Sequence, residues 1–336
     1  MRPRFAVAAI LALVAGCENK PAPRHLDPVK LADRGFLTNA PIYVADEYGY
    51  FADEGIKLVF TEPPRSSSQI IPLLERGDLD VMASSLTAGF FSAVAQGGRS
   101  RIVADRGHVS ESGCDYDGII ARRGLFAGGA PTAKTLRGAR FSLGPAGIGA
   151  YVVQKYLDSV GLTLGDLKLV RLGERLEAQA LDQGSIDGMH VAEPHLSWLV
   201  ARGHRLIGPA RVYAPGTHYA VLVFGPSLTV TNRNLGERFM KAYLRGVKTF
   251  NLGLTPRNLD IIARRTGVAA DTLKRICPPT ISANGELNGK SLLDFQKWLV
   301  KNGFLSRELG PEGGTDLSFA RQASKELGIA PAGTKR

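Results

Sequence analysis

Three short segments place hydroxyl, amide or glycine residues directly before an expected helix. These residues are Thr38, Asn39, Ser84, Ser85, Gly147 and Gly149. The first N–H groups of a helix have no partner inside it and lie at the positive end of the helix dipole, so they can bind an oxygen-bearing ligand. Glycine also lets the backbone approach a ligand closely. For the threonine, asparagine and serine side chains, the alternative role is to cap the helix.

A second group of residues offers charge and an aromatic ring. Arg106 and His108 could meet an anion and Tyr116 could stack on a ring, whereas the alternative for all three is an ordinary surface loop. Glu193 and His195 could exchange hydrogen bonds with a ligand, or the Glu-Pro pair could simply start a helix. No cysteine or histidine pair has the spacing of a zinc site, and no glycine pattern fits a dinucleotide or Walker loop. We therefore expect a binding site without metal, cofactor or catalytic residues.

These residues must be positioned by strands and helices that alternate along the chain, which is typical of α/β proteins with parallel sheets. Strands are expected near 29–33, 57–61, 79–83, 101–105, 117–122, 139–143, 167–171, 186–190 and 218–224. Helices are expected between most of them and, farther on, over 233–252, 256–267, 289–302 and 315–327. The helix that follows Asn39 has Pro41 in its first turn and is expected to end at Gly55.

One segment of the sequence occurs twice. LERGDLDVM at 74–82 recurs as LDQGSIDGM at 181–189, and each copy indicates a helix end, a glycine reversal and a short strand that carries an aspartate. The preceding elements follow in the same order, which predicts two lobes of the same layout about a hundred residues apart. The chain is expected to enter the second lobe near 116–122 and to leave it through 218–225. Two crossings at one place predict a hinge, near Gly118 and Val221.

The N-terminus has the pattern of an export signal. Arg2 and Arg4 precede the apolar run 5–15, which is shorter than the roughly 20 residues that span a bilayer. The run ends in Val-Ala-Gly before Cys17, which resembles the lipobox of bacterial lipoproteins, where the cysteine is acylated. The alternative is an ordinary secretory signal in which Cys17 is incidental.

The charge pattern limits the possible binding partners, and the cysteine content bears on disulfide formation. The formal net charge is +11, but lysine and arginine are scattered and form no basic run interleaved with aromatic residues. We therefore expect no nucleic-acid partner. Besides Cys17, the chain has Cys114 and Cys277. A disulfide between them and two separate thiols both remain open.

The order of several segments resembles one protein family. These segments are APIYVADEYGYF with EGIKL, LLERGDLDV, LRGARFSLGPAG and ALDQGSIDGMHVAEPH. Together they resemble the nitrate, sulfonate, taurine and thiamine-precursor group of periplasmic solute-binding proteins (SsuA/THI5-like), which includes domains named for the yeast thiamine-pyrimidine synthase. The resemblance covers about 29–252, and the joint order of the segments carries it.

The resemblance implies an α/β type II periplasmic-binding-protein fold, with two lobes, a two-strand hinge and a ligand in the cleft between the lobes. Lobe one is expected to comprise 28–116 and 222–336, and lobe two 117–221, after a signal peptide at 1–16 and a lipidated tether at 17–27. The implied function is that of a monomeric lipoprotein outside the cytoplasm, in the periplasm or at the cell surface. It would deliver a small organic molecule or anion to the permease and ATPase of an ABC importer.

Two other functions remain open at this point. An enzyme on the same fold, of pyrimidine synthase or dehydratase type, could use Glu193, His195, His108 and Asp117 as acid–base groups. The cysteine-rich stretch of the synthases is, however, absent from the sequence. A lipoprotein could also sense a ligand without transporting it. The side chains of the cleft, not the fold, decide whether the ligand is a sulfonate, nitrate, a pyrimidine or an aromatic acid.

Overall fold

The structure is a computed structural model that describes residues 25–64, 67–125, 129 and 131–330. The strands are β1 (Asp27–Ala32), β2 (Ile56–Thr61), β3 (Val81–Ser85), β4 (Arg101–His108), β5 (Asp117–Ala121), β6 (Arg140–Ser142), β7 (Lys168–Val170), β8 (Gly188–Ala192), β9 (Arg205–Pro209) and β10 (His218–Phe224). The helices are α1 (Ala40–Glu47), α2 (Tyr50–Asp53), α3 (Ser67–Arg76), α4 (Ala88–Ala95), α5 (Ala133–Leu136), α6 (Ile148–Ser159), α7 (Glu174–Asp182), α8 (His195–Ala201), α9 (Ala210–Tyr213), α10 (Arg233–Phe250), α11 (Pro256–Thr266), α12 (Ala270–Leu273), α13 (Gly289–Lys301) and α14 (Ser318–Glu326). The expected signal peptide and Cys17 lie outside the described residues.

The strands form two five-stranded sheets with equivalent strand orders. The first sheet runs β2-β1-β3-β10-β4 and the second runs β7-β6-β8-β5-β9. In each sheet the first three strands are parallel, and the fourth in spatial order runs antiparallel to both of its neighbours. That fourth strand, β10 or β5, is the one that the chain enters after crossing from the other sheet. We call the first sheet and its helices lobe one, and the second sheet and its helices lobe two.

The sequence repeat forms the same hydrogen-bonded junction in both lobes. Asp80 donates its N–H to the carbonyl of Lys30 in β1 at 2.9 Å, and its carboxylate accepts from the Lys30 N–H at 2.8 Å. Asp187 makes the same pair of bonds with Arg140 of β6, at 2.7 and 2.9 Å. The glycine three residues before each aspartate has a positive φ, of 79° and 71°, which favours glycine. The repeat therefore specifies how the third strand of each lobe joins the first.

The chain crosses between the lobes at two adjacent places. Residues 109–116 connect β4 to β5, and residues 214–217 connect α9 to β10. Two backbone hydrogen bonds, of 2.8 and 2.9 Å, join Val109 to the second crossing segment. Because β10 belongs to the first sheet from His218 onward, lobe two ends near 217 and not at the expected 221.

Cys114 and Cys277 form a disulfide, one of the two alternatives that the sequence left open. Cys114 lies in the first crossing segment, and Cys277 lies in the lobe-one segment that follows α12. The two residues are 163 positions apart in the sequence, and their Cα atoms are 5.7 Å apart. The bond therefore ties the crossing segment to lobe one.

Two local expectations are wrong. The helix after Asn39 does not continue to Gly55, because Gly49, with a φ of 80°, separates α1 from α2. The edge strand β9 was not expected. Its sequence, RLIGP, contains glycine and proline, which weaken the pattern by which a strand is recognised.

The C-terminal helices pack on both lobes. α10 packs against α1 and α14, while α13 packs against α4 of lobe one and α6 of lobe two. The ring of Phe295 in α13 lies 6.1 Å from that of Phe91 in lobe one and 5.6 Å from that of Tyr151 in lobe two. Over the described part of the chain, no helix is both long and apolar enough to span a bilayer.

Candidate functional site

The side chain of Arg106, in β4, is almost completely buried, with 1% of the residue exposed. Its guanidinium donates to the hydroxyl of Thr38 and to the side-chain oxygen of Asn39, both just before α1. Its Nε donates to the carbonyl of Val221 in β10 at 3.3 Å. Two strands and a helix start therefore converge on one cation, and the surface-loop alternative for Arg106 is wrong.

Asn39 does not use its side chain to cap α1. It occupies the N-cap position without making a side-chain capping bond. Its amide nitrogen instead donates to Asp33 at 2.6 Å, while its oxygen accepts from Arg106. The hydroxyl of Tyr43 donates to the same Asp33 oxygen at 2.6 Å. Asn39 thus connects the buried cation to a carboxylate that follows β1, and capping is the wrong role for its side chain.

The charge of Arg106 is not neutralised by the surrounding side chains. Among the residues that the structure describes, no carboxylate oxygen lies within 4.0 Å of its nitrogen atoms. Burial lowers the pKa of Arg106, since desolvation disfavours the charged form. A buried cation held only by neutral oxygens carries a desolvation cost that such bonds offset only in part. A bound anion would supply the missing negative charge.

Two tyrosines stack where the crossing segments end. Tyr116 precedes β5 and Tyr219 lies near the start of β10, with ring centroids 5.4 Å apart and planes inclined by 11°. Burial raises the pKa of both hydroxyls, and the nearby charge of Arg106 opposes that rise. The Tyr219 hydroxyl is buried and has no hydrogen-bond partner within the described part of the chain. Sequence reasoning found Tyr116 but missed Tyr219, for which the available signal was a tyrosine at each of the two expected crossings.

The loops before α4 and α6 meet across the lobes. Two backbone hydrogen bonds, of 3.0 and 3.1 Å, join residues 86–88 to residues 146–148, and Thr87 pairs with Gly147 as an isolated bridge. Ser84, which is buried, and Ser85, which is exposed, lead into the first of these loops. The structure therefore brings the equivalent helix starts of the two lobes together, and one N–H of each loop donates to a backbone carbonyl of the other.

The two candidate glycines differ in their surroundings. Gly147 has an ordinary φ of −110°, and a Cβ added there would have its nearest neighbour at 3.8 Å. A Cβ added to Gly149 would lie 3.0 Å from Nδ1 of His190, whose Nε2 is hydrogen-bonded to Asp117 at 3.0 Å. Gly149 thus packs closely against an imidazole of β8, which would have to shift to accommodate a larger residue.

Glu193 and His195 lie in different environments. The buried carboxylate of Glu193 accepts from the N–H and hydroxyl of Ser197, at 3.1 and 2.7 Å, and from the backbone N–H of Cys277 in lobe one. Burial raises the pKa of Glu193, and these bonds oppose that rise. His195 is exposed at the start of α8, with its ring 5.0 Å from that of the exposed Trp198. Glu193 therefore faces the junction of the lobes, and His195 lies at the surface.

His108 belongs to a cluster with Asp105 and His218 beside the crossings. Asp105 accepts from Nδ1 of His108 at 2.8 Å and from Nδ1 of His218 at 3.0 Å. Three such groups at this spacing could hold a metal ion. However, Nε2 of His218 accepts the backbone N–H of Asn288 at 2.7 Å, so its Nδ1 carries the proton and offers no lone pair. We interpret the cluster as a hydrogen-bonded link between β4, which holds Asp105 and His108, and β10, which holds His218.

Comparison with known proteins agrees with this architecture. Residues 38–250 match the family model described as NMT1/THI5 like. No curated protein sequence matches the chain significantly. Among solved structures, the chain is similar to the ligand-binding component of an ABC-type import system from Staphylococcus aureus with zinc bound, at a TM-score of 0.73 and 14% identity over 89% of this chain and 99% of that one.

Two further solved structures show the same fold. The periplasmic nitrate-binding protein NrtA from Synechocystis PCC 6803 has a TM-score of 0.72 and 13% identity, over 93% of each chain. The desulfurization enzyme DSZB has a TM-score of 0.64 and 13% identity, over 90% of this chain and 99% of its own. These likenesses confirm the expected type II periplasmic-binding-protein fold with its two lobes.

Proposed function

The chain belongs to the NMT1/THI5-like family, and on that basis we propose that it is the solute-binding protein of an ABC importer. It captures a small anion, organic or inorganic, in the cleft between its lobes and delivers it to a permease with its ATPase. It does so as a monomer outside the cytoplasm, held on the membrane by a lipid on Cys17.

The observation that carries this proposal is the uncompensated charge of Arg106. Thr38 and Asn39 hold the guanidinium in place, and neither brings a negative charge. The stacked tyrosines, and the unbonded hydroxyl of Tyr219, provide an apolar wall and one further donor. An oxyanion, such as a carboxylate, a sulfonate or nitrate, matches these groups because the three hydrogen bonds of Arg106 leave the two N–H groups of its other terminal nitrogen to donate.

An enzymatic function is less well supported by the geometry. The acid–base groups considered from the sequence are divided among separate networks. His108 is bonded to Asp105, Asp117 to His190, and Glu193 to Ser197. Binding, by contrast, requires only convergent donors and lobes that can close. The gene neighbourhood separates transport from ligand sensing: an adjacent permease gene would support transport, and an adjacent kinase gene would support sensing.

The most informative experiment is native mass spectrometry of the purified protein, to identify any small molecule that co-purifies. Calorimetry with that compound, and with nitrate, methanesulfonate and benzoate, then measures affinity. We expect saturable binding of at least one monoanion. If no anion is retained and none binds, the proposed function is wrong.

Small-angle scattering tests closure of the lobes. The lobes touch in this structure through the loops before α4 and α6. We therefore expect the protein to show a smaller radius of gyration with ligand than without it, since opening must break those contacts. An unchanged scattering profile at saturating ligand would contradict a hinge at the two crossings.

A further inference from the structure

A separate cavity lies between α6 of lobe two and α13. Its volume is about 380 Å³, and Arg106 is not among the residues that line it. Tyr151 and Lys155 line it from α6, and Lys297, Trp298 and Lys301 line it from α13. The ring of Tyr151 lies 5.8 Å from that of Trp298, so the cavity depends on contact between the two lobes.

The three lysines of this cavity carry charge that no neighbouring carboxylate balances. Within the described residues, none of Lys155, Lys297 and Lys301 has a carboxylate oxygen within 4.0 Å. The lining also contains two aspartates, which have other partners. Asp294 is paired with a lysine of α13 at 2.5 Å, and Asp158 accepts from a glutamine of α6 at 2.7 Å. A glutamine is neutral, so Asp158 keeps its negative charge, but the three ammonium groups outnumber it and the lining is positive overall.

The indole of Trp298 offers a donor in the same place. Trp298 is only 8% exposed, and its Nε1 is buried without a hydrogen-bond partner within the described part of the chain. Buried N–H groups without a partner are rare in folded proteins, so one beside a cavity indicates a missing acceptor.

We propose that this cavity is a second binding site, which takes a small polyvalent oxyanion of phosphate or polycarboxylate type. The lysines of both helices contact the charge, and the Trp298 N–H donates to one oxygen. Because α6 and α13 contribute from different sides of the lobe contact, the bound anion stabilises the closed arrangement. The site is separate from that of Arg106, which does not line the cavity.

The composition of the chain makes Trp298 a convenient reporter. The protein has two tryptophans, so Trp198→Phe leaves Trp298 as the single one. In this background, inorganic phosphate and citrate are titrated separately, against sodium chloride of equal ionic strength. We expect a saturable change in tryptophan emission with at least one of them, and none with chloride. If neither polyvalent anion gives a saturable change beyond chloride, the proposal is overturned.

Lysine substitutions locate the anion. Lys297→Gln with Lys301→Gln should weaken binding about tenfold, since each exposed ion pair contributes modestly. Lys155→Gln, on lobe two, should weaken it several-fold. The control is Lys168→Gln, an exposed lysine of β7 that does not line the cavity. An α13 double variant that binds like the control overturns the site. A Lys155→Gln variant that binds like the control overturns the claim that both lobes contribute to the site.

A last comparison separates this site from the cleft. Arg106→Gln should leave the Trp298 titration unchanged, because Arg106 is not part of the cavity. If Arg106→Gln abolishes the signal, the anion binds in the cleft and the second site does not exist.

Discussion

Replacing Arg106 with glutamine should strongly weaken anion binding while leaving the ligand-free protein about as stable as before. Its three hydrogen bonds reach neutral oxygens, and each charge-assisted bond contributes about 1.5–3 kcal/mol. Burying the cation costs several kcal/mol, and glutamine keeps an amide that can still donate. We therefore expect the free energy of unfolding to change by no more than about 2 kcal/mol. Removing one partner of a buried charge pair weakens binding by about 2–5 kcal/mol, which is about 30-fold to several thousand-fold in Kd.

Two measurements on each variant test this reasoning. Urea denaturation of the ligand-free protein gives the free energy of unfolding, and calorimetry with the identified anion gives Kd. The matched control is Arg101→Gln in the same strand, whose guanidinium donates to two backbone carbonyls. A Kd within about threefold of the parent protein would refute an anion at Arg106. A loss of stability above about 3 kcal/mol would show that Arg106 holds the fold together instead.

Three further predictions concern the anchor, the crossing segment and β8. Cys17→Ser should move the protein from the membrane fraction to the soluble fraction, and equal fractionation of both forms would contradict acylation. Replacing both cysteines of the Cys114–Cys277 disulfide with serine should lower the free energy of unfolding by about 2–5 kcal/mol, because the bond closes a long loop. An unchanged denaturation midpoint would show that the crossing segment is held in place without the disulfide. Gly149→Val should destabilise the protein by about 1–3 kcal/mol by displacing His190, whereas Gly147→Ala, with open space around it, should change stability by less than about 0.5 kcal/mol. Equal melting temperatures for these two variants would contradict the packing argument.

Much of the fold could be predicted because its signals are local. The alternation of strands and helices, and the repeated aspartate at Asp80 and Asp187, are properties of short segments. Each aspartate bonds to the neighbouring strand of its own lobe, so the repeat predicts a repeated structure. The prediction failed where a local pattern was weak. The edge strand β9 contains glycine and proline, and Gly49 interrupts a helix whose apolar pattern continues beyond it.

The site could be predicted only in part, because its bonds join distant segments. Thr38 and Asn39 were selected for the backbone N–H groups of a helix start, yet the structure uses their side chains to hold Arg106, which lies 68 and 67 residues away. The Tyr219 ring was missed because its partner, Tyr116, precedes a different strand of a different sheet. A rule based on residue spacing within one segment cannot predict contacts between segments that are distant in the sequence.

Two neighbouring residues of β4 show why the charge of Arg106 points to a ligand. Asp105 is also buried, but it accepts from His108 and His218 and from two backbone N–H groups, at 2.8–3.0 Å. Although burial alone would raise it, the pKa of Asp105 is lowered by these bonds and charges, whereas the pKa of Arg106 is lowered because burial disfavours its charge. The folded protein thus stabilises the anion at one position and leaves the cation at the next position destabilised. Since the same strand fully compensates one buried ion, the lack of compensation at the other is best explained by a negative charge that arrives from outside the chain.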